Sequence, residues 1–157
     1  MEIKADDLLG GEVLELLEEH MSDMLATSPP DSVHALDHIS LKSPEITFYS
    51  GWDGEKLLGC VAIKQLTEDH GEIKSMRTAT AARNTGVATK LLNHVVGIAL
   101  DRGYRKISLE TGSQEFFKPA RKLYEKNGFN YCAPFSDYSE DPNSKFMTRE
   151  LVGIERV

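Results

Sequence analysis

The apolar positions of this chain recur with two different periods, and the switches between them mark out its elements. Leu9, Val13, Leu16, Leu17, His20, Met21 and Met24 return every three or four residues, which predicts an amphipathic helix. Residues 2–6 before it read as a short strand. Ser28-Pro29-Pro30-Asp31 predicts a second short helix, with Ser28 as its N-cap, Pro29 as its first residue and Asp31 as the reciprocal capping acid. Glu45 to Trp52 alternates and is rich in β-forming residues. Asp53-Gly54 carries hairpin turn chemistry, and Lys56 to Leu66 reads as the returning strand. His70-Gly71 reads as a break, after which Glu72 to Thr78 completes an antiparallel meander.

The period then changes. Ala88, Leu91, Leu92, Val95, Val96 and Ala99 form one apolar stripe, and Gly103 stops that helix. Arg105 to Thr111 is a strand. Phe116, Ala120, Leu123, Tyr124 and Asn127 mark a further helix closed by Gly128. Residues 129–135 and 145–151 read as two last strands. The order β-α-α-β-β-β-α-β-α-β-β predicts an α/β fold with a mixed, mostly antiparallel sheet and a central βαβ unit.

Length and composition narrow the class. At 157 residues the chain suits one domain, 1–157, able to bury its own core. No apolar run approaches the roughly 20 residues that span a bilayer, and the first residues lack the basic stretch and apolar core of a secretion signal. The expectation is a cytoplasmic protein without a membrane partner. The formal net charge of -7 argues against nucleic acid and against a polyanionic acceptor, so any anion site must be built locally. Cys60 and Cys132 lie far apart with no ligand spacing around them, which points to neither a metal site nor a redox pair.

The chemistry concentrates where the third strand of the meander gives way to the long helix. Arg83-Asn84-Thr85-Gly86-Val87-Ala88 forms the turn between them. The first N–H groups of a helix have no partner inside it, and the helix dipole adds partial positive charge there. A glycine at that entrance lets a phosphate approach the backbone, and Arg83 adds a charge-assisted contact; together they suit a pyrophosphate. The bland alternative is a plain strand-turn-helix connection. A nucleotide P-loop is excluded by the missing Gly-Lys-Ser/Thr ending, and a dinucleotide fold by the missing Gly-x-Gly-x-x-Gly.

The same hexapeptide resembles the Arg/Gln-x-x-Gly-x-Gly/Ala motif of the GNAT acetyltransferases. The resemblance extends to the Ile107-Ser108-Leu109-Glu110 strand and to Ala120-Arg-Lys-Leu-Tyr124-Glu-Lys-Asn-Gly128-Phe129, which is similar to the family's Ala-x-x-Leu-Tyr-x-x-x-Gly-Phe signature. Ser28-Pro29-Pro30, His34-Ala35-Leu36 and Asp141-Pro142-Asn143-Ser144 resemble a bacterial subgroup, some of whose members are named indole-3-acetate acetyltransferase.

The resemblance implies acetyl-CoA as co-substrate, with no metal. It places the coenzyme pyrophosphate on the backbone of Arg83, Asn84, Thr85, Gly86, Val87 and Ala88, with Thr89 just inside the helix. Its pantetheine arm is expected to pair with the strand at Met76, Arg77 and Thr78. Ala88 stands where many members have Gly. Tyr124 matches the family tyrosine that protonates the leaving thiolate. Glu72 precedes Arg83 by eleven positions and matches a strand glutamate used as base. Read without the family, Glu72 is a carboxylate paired with Lys74 or Arg77, and Tyr124 a core aromatic.

Glu110, at a strand end, is the rival base. His34, on the short second helix, is a candidate to hold the acceptor or serve as base. Arg77 is a candidate to hold an acceptor carboxylate, or else part of a surface ion pair. Tyr138, Asp141 and Asn143 sit in a long loop that in this fold approaches the acceptor side or a partner subunit, which leaves a homodimer open. The expected activity is acetyl transfer to the amine of a small or amino-acid-like acceptor. The alternatives are acetylation of a protein or peptide, and a coenzyme-binding regulatory module without turnover.

Overall fold

The computed structural model describes residues 1–34 and 36–151. Its strands are β1 (Glu2–Ala5), β2 (Ile46–Asp53), β3 (Lys56–Thr67), β4 (His70–Thr78), β5 (Lys106–Gly112), β6 (Asn130–Cys132) and β7 (Ser144–Glu150). Its helices are α1 (Gly11–Thr27), α2 (Val87–Asp101) and α3 (Lys118–Lys126), with single 3-10 turns at Pro30–Ser32, Ser40–Lys42, Thr80–Ala82 and Glu115–Phe117. The strands form one sheet in the order β1-β2-β3-β4-β5-β7-β6. Every neighbouring pair is antiparallel except β4 and β5, which α2 connects as a βαβ unit.

The period of two in the strands sorts the core into two layers. Val61 and Ile63 of β3, with Ile107 and Leu109 of β5, face one side and pack with Leu91, Leu92, Val95 and Ala99 of α2. Cys60 and Ala62 face the other side and pack with Val13, Leu16 and Leu17 of α1 and with Leu41. Phe48 and Tyr49 are buried and Trp52 is half-buried, as a hairpin carrying core and rim aromatics requires.

Several expectations are corrected. The second helix does not form. Ser28 ends α1, its N–H donating to the Met24 carbonyl at 3.0 Å, and Pro30–Ser32 makes a single 3-10 turn with no side-chain cap from Asp31 or Ser28. Pro29 and Pro30 each lack an N–H, and Leu36 and Leu41 are the only leucines that follow before β2, too few to bury a helical face. His34 therefore lies on coil. Leu9 falls outside α1 and is 70% exposed. β6 stops at Cys132 because Pro134 has no N–H to donate to the ladder.

His70-Gly71 is not a break: the turn is Glu68-Asp69, and both residues belong to β4. The glycine serves a close approach instead. A Cβ at Gly71 would stand 2.7 Å from the Tyr104 ring, so the ring lies directly on the backbone.

Candidate active site

The parallel ladder between β4 and β5 runs through four pairs, from His70↔Lys106 to Ile73↔Leu109, and then stops. Both strands continue, β4 to Thr78 and β5 to Gly112, so they splay. A bulge in β4 accompanies the separation. The register with β3 jumps from Ala62↔Lys74 to Cys60↔Arg77, leaving Ser75 and Met76 together opposite Val61, and Ser75 takes φ 51°. A bulge bends its own strand and increases its twist, which turns β4 away from β5 at this point. A cavity of about 570 Å³ occupies the opening. Met76, Arg77 and Thr78 line it, on a stretch of β4 whose side toward β5 has no strand to pair with. An extended arm of a ligand can take that place.

One end of the cavity is the entrance to α2. Gly86 is the N-cap at φ 84° and ψ 5°, a left-handed conformation that favours glycine, and no side chain caps the helix. The first bond into the helix is from Lys90 N–H to the Gly86 carbonyl at 3.2 Å. The N–H groups of Val87, Ala88 and Thr89 thus lie ahead of the ladder and face outward. Thr85 could have capped them, but its hydroxyl donates backward to the Ala82 carbonyl. Arg83, Asn84, Gly86, Val87, Ala88 and Thr89 all line the cavity, while Thr85 alone of the predicted loop does not. Open amides beside an arginine suit a diphosphate.

The other end lies on the opposite sheet face. Glu72, Ser108 and Glu110 share that face with Lys74, because they alternate with the core residues Ile73, Ile107 and Leu109. Glu72 is 2% exposed. Its Oε2 accepts from Lys74 Nζ at 3.2 Å and from the Tyr138 hydroxyl, and Lys74 also donates to Tyr138 Oη at 3.0 Å. Of its two predicted roles, the pairing with Lys74 is the one seen. Burial, and then the Glu72 charge, push the Tyr138 hydroxyl far above its ordinary value, so it remains a donor.

Glu110 has no cation within salt-bridge distance among the described residues. Burial pushes its carboxyl up to about 7, with the neighbouring Ser144 hydroxyl and Lys74 ammonium offsetting part of the rise. Tyr124 reaches the cavity from α3 and is 7% exposed. Burial first, and the Glu110 charge second, raise its hydroxyl well above the usual tyrosine range, which keeps its proton in place at neutral pH.

His34 packs edge-on against Tyr138 with ring centroids 4.9 Å apart. Burial, with help from Lys74, lowers its pKa and leaves the ring neutral. Arg77 lines the cavity and also makes the ion pair that was its alternative role. Its guanidinium is held by Asp23 at 2.8 Å and Glu19 at 3.5 Å, both on α1, while its Nε is buried with no partner among the described residues.

The β6–β7 loop lines this end of the cavity with Tyr138 and Asn143. Ser32 Oγ donates to Asp141 at 2.6 Å, and Asn143 Nδ2 donates to Ser32 Oγ at 3.4 Å. From sequence, Lys74 is visible only as a partner for Glu72, and Tyr138 only as part of a loop that approaches the acceptor side or a partner subunit. The Glu72-x-Lys74 spacing did carry a signal, since residues two apart on a strand share a face. Nothing local in the loop sequence marks Tyr138.

A family model described as Acetyltransferase (GNAT) family matches residues 13–129. The chain is 55% identical over 151 residues to a Bacillus subtilis protein called uncharacterized N-acetyltransferase YsnE, covering 96% of this chain and 100% of that one. It is 33% identical to the IAA acetyltransferase of Azospirillum brasilense, covering 89% of each. A solved GNAT family acetyltransferase from Elizabethkingia anophelis, with acetyl-CoA bound, superposes with a TM-score of 0.67 at 18% identity over 96% of this chain and 97% of that one. A splayed sheet with an uncapped helix entrance defines the class as an acyltransferase fold. The chain belongs to the GNAT acetyltransferase family.

Proposed function

We propose that the chain transfers an acetyl group from acetyl-CoA to the amine of a small molecule. The observation that carries this reading is the continuity of the cavity, from the open amides of α2, through the β4–β5 splay, past Tyr124, to Glu110 on the far face. The donor supplies an acyl carbon activated as a thioester, and the acetyl-CoA bound to the Elizabethkingia anophelis neighbour supports that identity. The diphosphate sits on Gly86 to Thr89 with Arg83 beside it, and the arm pairs along Met76 to Thr78.

An alkylamine with a pKa of about 10.4 must lose a proton before its lone pair can attack. Glu110 is the base, since a carboxyl poised near 7 takes that proton at neutral pH. Glu72 is less suited, because Lys74 and Tyr138 already hold its charge. As the C–N bond forms and the C–S bond breaks, the Tyr124 hydroxyl gives its proton to the departing sulfur. A backbone N–H near Met76 or Arg77, on the cavity wall beside the β4 bulge, is the donor for the carbonyl oxygen.

A small acceptor is favoured over a peptide because the Ser32–Asp141 and Ser32–Asn143 bonds tie the loop to the segment after α1 at that end of the cavity, which narrows the room for an extended chain. The test is coenzyme-dependent thiol release with panels of amines, amino acids and peptides. Release with small amines is expected. Release with peptides alone would overturn the acceptor class, and coenzyme binding without any release would indicate a module lacking turnover.

A further inference from the structure

We propose that the acceptor carries a carboxylate next to its amine, as an α-amino acid does, and that Lys74 selects it. This rests on the acetyl-transfer reading and narrows its substrate class.

Three cationic side chains, Lys74, Arg77 and Arg83, line the cavity. Arg83 stands at the α2 entrance, and Arg77 is held by Asp23 and Glu19. Lys74 shares its charge with a single carboxylate, Glu72, where Arg77 shares its own with two, and so is the better cation for an incoming anion. Its ammonium has three N–H groups. Glu72 Oε2 takes one at 3.2 Å and Tyr138 Oη another at 3.0 Å, and no further acceptor for the third is found among the described residues. The side chain is only 8% exposed, so that last donor faces the cavity rather than bulk water.

Its position relative to Glu110 sets the chemistry. Were the parallel ladder to continue past Ile73↔Leu109, the next pair would be Lys74 and Glu110. The two therefore flank one spot on the same face, at somewhat more than the ~4.8 Å strand spacing because the strands are parting. An α-amino acid carries its amine and its carboxylate on a single carbon. With the amine toward Glu110, the carboxylate reaches the free Lys74 donor.

A site built for a plain alkylamine would have no use for this group, because a buried ammonium repels an incoming cation. A Lys74–Glu72 pair kept only for stability is also poorly motivated. Burying two charges contributes little net stability, and apolar residues of similar volume serve as well. In a chain of net charge -7, a free carboxylate needs such a local cation to enter.

The experiment pairs α-amino acids with their decarboxylated amines, phenylalanine with phenethylamine among them, and reads kcat/KM from thiol release. The wild-type protein should prefer the carboxylated member of its best pair by about tenfold or more, the size expected of one charged hydrogen bond. Lys74→Met should reduce that preference by a similar factor. Because this variant orphans Glu72, the double variant Glu72→Gln/Lys74→Met is run alongside, and Lys74→Arg should restore part of the preference. Preference for the decarboxylated member throughout, or equal losses on both members, would overturn the proposal while leaving acetyl transfer intact. Absence of release with every amine would remove the acetyl-transfer reading and this inference with it.

Discussion

Ile73 and Leu109 form the last pair of the β4–β5 ladder, and the cavity opens where that ladder ends. Both side chains are buried on the α2 side, which pins the two strands together at that point. Two residues further on, at Ser75, the β4 bulge begins and the strands separate. The fork gives a ligand access from one sheet face to the other. Tyr124 stands on the helix side of it and Glu110 on the acceptor side, near enough that the charge of Glu110 raises the Tyr124 pKa.

The Tyr124→Phe variant separates chemistry from binding. The ring and its packing against Phe129 remain, and only the hydroxyl is lost. Turnover should fall by about 10²-fold or more, the usual range for a general acid, while the coenzyme dissociation constant stays close to that of the wild type. Steady-state kinetics with a titration of coenzyme binding checks this. Unchanged turnover would remove Tyr124 as the proton donor.

Glu110 predicts two pH effects of opposite value. As a base it works deprotonated, so kcat/KM should rise through about pH 7 and then level, and Glu110→Gln should abolish that limb. For stability the sign reverses. A carboxyl raised from 4.5 to about 7 binds its proton more tightly in the folded state, so its contribution is complete below pH 4.5 and is lost as pH rises through 7. Glu110→Gln should therefore be more stable than the wild type at pH 8, by on the order of 2 kcal/mol, with the gain shrinking toward pH 5. Urea unfolding at the two pH values decides it. An unaltered pH–rate profile in the variant would transfer the base role elsewhere.

Where local chemistry dictated structure, the sequence was readable. The α2 stripe and the Gly86 entrance depend on spacing and backbone preference within a few residues, and both stand where periodicity placed them. The second helix failed because a capping pattern at Ser28 was read without asking what apolar face would be buried behind it. A glycine in sequence marks turns and close approaches alike, and at Gly71 only the distant Tyr104 ring distinguishes them. At the site, Glu72 and Glu110 were both visible as strand carboxylates. Their different surroundings come from Lys74 and from Tyr138, which is 66 residues away in sequence from Glu72, and no local pattern encodes that second contact.

Gly86→Glu tests the diphosphate end. The position holds φ 84°, which a side chain adopts only with strain, and a carboxylate there would repel phosphate. A Cβ at Gly86 meets no protein atom within 4 Å, so crowding against the fold itself is not the issue. Coenzyme affinity should drop by at least about tenfold while the folded structure persists, as read by calorimetric titration and circular dichroism. Wild-type affinity would count against the loop assignment.

Gly71→Ala tests the packing that anchors the closed end of the fork. The added methyl would meet Tyr104 carbons at 2.7 and 2.9 Å, closer than any real contact. The ring cannot readily withdraw. It is buried, and its hydroxyl is held at 3.2 Å by both Arg102 Nη1 and Gln65 Oε1. Overpacking of this kind costs about 1–3 kcal/mol, measurable as a lower urea midpoint. Because Gly71 pairs with Ile107 two steps before the ladder ends, the strain falls on the strand that carries Glu72 and Lys74. Tyr104→Leu removes the offending ring, so the double variant should be destabilised by less than the sum of the single changes. Simple additivity would mean that the ring yields freely and that β4 does not need a glycine there.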